Sequence, residues 1–136
     1  MIMNSLSKYQ NVLFEEDTNI LIFKWLPETI NMIGDDFMTE MNKVAKIIMQ
    51  HNGCNILLLS QDMKFAIAPD KQIEANKILL PAYNQSSVKK LAIIIPKEFI
   101  AELSMEQTIE EKIDEHSFKT NFFADEKEAQ EWLMNK

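Results

Sequence analysis

The residues with chemistry to offer are few and widely spread. Ser60 closes the apolar run Asn55–Ser60 (NILLLS), and Gln61, Asp62, Met63, Lys64 and Phe65 follow it directly. In open α/β sheets, ligands gather at the carboxyl ends of strands, so Ser60–Phe65 is the candidate binding site. The plainer alternative is a loop whose polar groups cap its own backbone. Asp62 alone makes no general acid or base, because a carboxylate needs a partner or a dry pocket to shift its pKa, and spacing names no such partner. His51 and Cys54 are three residues apart, but His116 is the only other histidine and there is no second cysteine. A soft four-ligand metal site cannot be assembled from that set, and Cys54 at a strand start reads as a small buried hydrophobe. Gly34 and Gly53 stand alone, whereas phosphate-cradling loops need clustered glycines. No cofactor, metal or catalytic residue is therefore assigned.

Composition narrows the partners further. The net charge is −7 with a pI near 4.8, and all 14 basic residues are lysine. Arginine is the usual residue for bidentate recognition of phosphate and guanine. Its absence from an acidic chain argues against nucleic acid and against an anionic membrane surface. No apolar stretch is long enough to span a bilayer, the N-terminus MIMNSLSKYQ lacks a signal-peptide pattern, and one cysteine forbids an internal disulfide. A cytoplasmic setting is the simplest expectation.

The elements that must position any site are legible from periodicity. Tyr9–Phe14 and Ile20–Leu26 read as a hairpin joined by EEDTN, with Leu21, Phe23 and Trp25 on one face of the second strand. Asp35–Asn52 is the clearest helix. Phe37, Met38, Met41, Val44, Ala45, Ile48 and Met49 form its apolar stripe, and Glu40, Asn42, Lys43, Lys46 and Gln50 form its outer face. Asn55–Ser60 is a buried strand. Pro69 opens a second helix over Asp70–Leu80, with Ile73, Ala75, Ile78, Leu79 and Leu80 apolar, and Pro81 should end or kink it. Lys90–Pro96 (KLAIIIP) is the most apolar strand, buried on both faces. A third helix is expected after Pro96, with Phe99, Ile100, Leu103, Ile109 and Ile113 inward and a break near Ser104. Phe118–Phe123 alternates as an edge strand, and Asp125 caps a final helix carrying Ala129, Trp132 and Leu133 inward. The order is β-β-α-β-α-β-α-β-α in one domain over residues 1–136. It implies a five-stranded mixed, mostly parallel sheet with about four helices, antiparallel at the hairpin.

ILIFKWL at the hairpin, NILLLSQDM, VKKLAIIIP and the closing NFFADEKEAQEWL together resemble the SpoIIAA-like group of STAS domains, the small stand-alone bacterial proteins labelled STAS/SEC14-like. The resemblance covers residues 9–135 and implies that fold and a partner-switching role rather than catalysis. In that family a serine at the start of the helix after the third strand is phosphorylated. Ala68-Pro69 stands there in this chain, with no hydroxyl. The expected function is a non-catalytic binding or regulatory module for another protein, or for a second copy through the Phe118–Phe123 edge. The alternative is a sensor of a small apolar or lipid-like ligand lined by Met32, Met38, Met41, Met49 and Met63, residues that serve equally as core filler. An enzyme is the remaining possibility, with no constellation to carry it.

Overall fold

A computed structural model describes residues 3–65, 67–96 and 118–135. A six-stranded sheet runs in simple sequence order: β1 (Asn4–Ser5), β2 (Gln10–Glu15), β3 (Ile20–Trp25), β4 (Asn55–Leu59), β5 (Lys90–Ile94) and β6 (Lys119–Phe123). The first three strands pair antiparallel and β3 through β6 pair parallel. The sheet thus has six strands where the sequence suggested five. The extra strand, β1, is two exposed residues long and has no apolar alternation to reveal it. Among the described residues three α-helices accompany the sheet: α1 (Asp36–Met49), α2 (Pro69–Gln85) and α3 (Glu126–Met134), with a 3-10 turn at Pro27–Asn31. The helix expected after Pro96 lies outside the described residues.

Alternation along β3 decides which side each helix covers. Leu21, Phe23 and Trp25 point to one core layer, where they meet Phe37, Met41, Val44 and Ile48 of α1 and Ala75, Ala82 and Tyr83 of α2. Ile20 and Ile22 point to the other, with Leu57, Leu59, Ala92 and Ile94, closed by Ala129 and Leu133 of α3. Parallel strands laid down in one direction with crossovers of one hand put α1 and α2 on the same face. The β5 strand is covered on both sides, as its uninterrupted hydrocarbon run implies.

Several side chains depart from the periodicity. Pro81 lies inside α2 rather than ending it. It removes one amide donor, but the next residues, Ala82 and Tyr83, are buried. Ser86 then fastens the helix end by donating from Oγ to the Ile48 carbonyl at 2.9 Å. Ile73 and Met49, assigned inward, are exposed instead (58% and 56%), each lying at the outer margin of its stripe. Glu40, assigned outward, is only 2% exposed. Trp132 is half-buried, its ring centroid 5.7 Å from that of Phe123.

The two ends of the sheet are finished differently. At the amino end, Lys90 Nζ donates to the Trp132 carbonyl at 2.7 Å and also to the Asn135 carbonyl, while Asn55 Nδ2 reaches the Leu133 carbonyl at 2.9 Å. The last carbonyls of α3, which have no partner within the helix, are thereby tied to β4 and β5. Asp125 caps the opposite end of α3 by accepting from the Lys127 amide at 3.0 Å. Four features converge on the carboxyl end of the sheet: the turn from β1 to β2, the 3-10 turn, the segment after β4, and the starts of α1 and α2.

Candidate functional site

The sequence-derived site residues are all at this carboxyl end, but mostly as structure. Ser60 donates its amide to the Ile94 carbonyl at 2.9 Å, and Met63 donates to the Ser60 carbonyl at 3.2 Å. The Lys64 amide donates to Thr29 Oγ1 at 2.7 Å, and Thr29 Oγ1 in turn donates to the Leu26 carbonyl at 2.8 Å. A fully buried threonine thus clamps the Ser60–Phe65 loop to the 3-10 turn. Phe65 stacks on Phe37 with ring centroids 5.9 Å apart. Gln61 and Lys64 are exposed, and Asp62 is half-buried. The methionines named for a ligand are dispersed. Met32 and Met41 are core, Met38 and Met63 pack against it, and Met49 faces outward.

At the same end of the sheet lies a feature that no motif announces, an open hollow of about 620 Å³ lined by Ser7–Tyr9, Asn31, Ile33, Asp36, Thr39, Glu40 and Lys43. Its wall is held by the buried Glu40 carboxylate. Oε1 accepts from Ser7 Oγ and from Gln10 Nε2 (3.0 Å), and Oε2 lies 3.3 Å from Lys43 Nζ. Ser7 Oγ also accepts the Tyr9 amide at 3.0 Å, which fixes the turn between β1 and β2. Gln10 is fully buried, and its Oε1 has no partner among the described residues. Asp36 Oδ2 accepts the Ile33 amide at 2.9 Å and faces the Tyr9 hydroxyl at 3.4 Å. The Ser7 hydroxyl, donating to Glu40 and accepting from Tyr9, is engaged on both sides. The cluster therefore builds a wall rather than presenting a nucleophile.

A faint signal for this cluster was present in the spacing. Glu40 stands three residues after Phe37 and four before Val44, which places it on the flank of the buried stripe. Gln10 opens a strand whose partner in register is Trp25, so it shares the α1-facing side of the sheet. What spacing could not supply was the turn that brings Ser7 over them.

Ile33 lines the hollow, and Ile30 stands on the 3-10 turn before it. Ile30 and Ile33 are 69% and 76% exposed, although Thr29 and Met32 between and before them are buried. The 3-10 turn forces this split, since it must drop Thr29 and Met32 inward to close the end of β3. Elsewhere, Cys54 is fully buried, and burial raises its thiol pKa, as expected of a small core residue. His51 contacts the Ile47 carbonyl through Nδ1 at 2.9 Å and packs on Phe14. Among the described residues no three His, Cys, Asp or Glu side chains come together as metal ligands, and no helix is long and apolar enough to cross a membrane. His116 is outside the described residues. Neither family models, curated proteins nor solved structures match the chain.

Proposed function

We propose that this protein is a non-catalytic recognition module that binds another protein through the carboxyl end of its sheet. The observation that carries the reading is the pair Ile30 and Ile33. Both are large aliphatic side chains standing in water at the carboxyl end of the sheet, and Ile33 belongs to the lining of an open hollow. Scattered exposed apolar residues need no explanation, but a cluster rimmed by polar groups is the usual mark of an interaction surface. The clamped Ser60–Phe65 loop and the starts of α1 and α2 complete a rigid frame around it, which lowers the ordering cost of binding. The chemistry present supports binding over catalysis, because the hydroxyl and carboxylates of the hollow already satisfy one another.

The element order also keeps the SpoIIAA-like STAS assignment as part of the proposal, with partner binding as the activity. Ala68 and Pro69 begin α2, so any switch in this chain works without a serine at that position. The test compares co-purification from the source cell by the unaltered chain, by I30S/I33S and by M134S, which changes an exposed apolar residue at the other end of the molecule. A partner retained by M134S and lost by I30S/I33S is expected. Equal retention by all three would overturn the reading.

A further inference from the structure

We draw no further inference here: the strongest candidate, the exposed pair Ile30 and Ile33 on and just after the 3-10 turn at the carboxyl end of the sheet, belongs to the surface already described, Lys8 and Lys43 balance Asp36 and Glu40 in the hollow beside Ile33, and nothing in the structure shows what covers the pair.

Discussion

Replacing Glu40 by leucine tests the buried cluster that shapes the hollow. The carboxylate accepts from Ser7, Gln10 and Lys43, and the three losses differ in weight. Lys43 is well exposed on its own side, so its pairing contributes close to nothing that water cannot replace. Ser7 is half-buried and can turn its hydroxyl outward. Gln10 cannot, because it is fully buried and its Oε1 already lacks a partner among the described residues. Stranding its amide costs about 1–3 kcal/mol, and loss of the charge-assisted bonds adds to that, offset by relief of a desolvated carboxylate. E40L should therefore lose about 2–3 kcal/mol in urea denaturation. The double variant Q10L/E40L removes donor and acceptor together and should recover about 1–2 kcal/mol of that loss, a coupling well above the scatter between independent sites. Hydrogen exchange of residues 6–10 should rise in E40L, because the Ser7 turn loses its anchor. Strict additivity of Q10L and E40L, with unchanged exchange at residues 6–10, would refute the view that these side chains act as one unit.

Other expectations are equally specific. Thr29→Val leaves the Lys64 amide without its acceptor and should cost about 1–3 kcal/mol, with faster exchange confined to residues 60–65 and the 3-10 turn; a global effect with no local signature would contradict the clamp. Trp132→Ala should cost about 2 kcal/mol, since the ring is half-buried against Phe123; a loss twice that size would mean the ring is more enclosed than described. Burial raises both the Cys54 thiol, ordinarily 9.0, and the Tyr83 phenol, ordinarily 10.0. The unfolded chain releases these protons first, so their contribution to stability is complete below those ordinary values and is lost as pH rises from there through the raised folded values. Tyr83→Phe should flatten the alkaline limb of a stability-against-pH curve, and an unchanged limb would place the phenol in contact with water. The native Cys54 thiol should resist alkylation near neutral pH and react only on unfolding, because the nucleophile is the thiolate.

The sequence carried the architecture where one rule acted alone. Period-two alternation in Ile20–Trp25 assigned both faces of β3, and the unbroken run at Leu91–Ile94 marked a strand covered on both sides. It failed where two effects competed. Pro81 should end or kink a helix, and α2 runs on past it because burial of Ala82 and Tyr83 and the Ser86 bond to Ile48 outweigh one missing amide. Glu40 reads as a surface residue from its charge, yet Ser7 and Gln10, from the β1–β2 turn and β2, draw it inside. The sequence points to the Ser60–Phe65 loop as the site, and the surface proposed above lies at the same end of the sheet. Ser60–Phe65 mostly serves to close the fold, while Ile30 and Ile33 are conspicuous only after the 3-10 turn has decided which of its residues face inward. An exposed isoleucine and a buried one look alike in a string of letters.

The most direct test of the recognition surface is site-specific photo-cross-linking in the source cell. A photoreactive phenylalanine analogue replaces Ile33 in one variant and Met134 in another, both positions standing in water at opposite ends of the molecule. A discrete adduct of defined mass from position 33, absent from position 134 and outcompeted by excess unaltered protein but not by I30S/I33S, is the predicted result. Adducts that form only at position 134, or equally at both, would contradict the account.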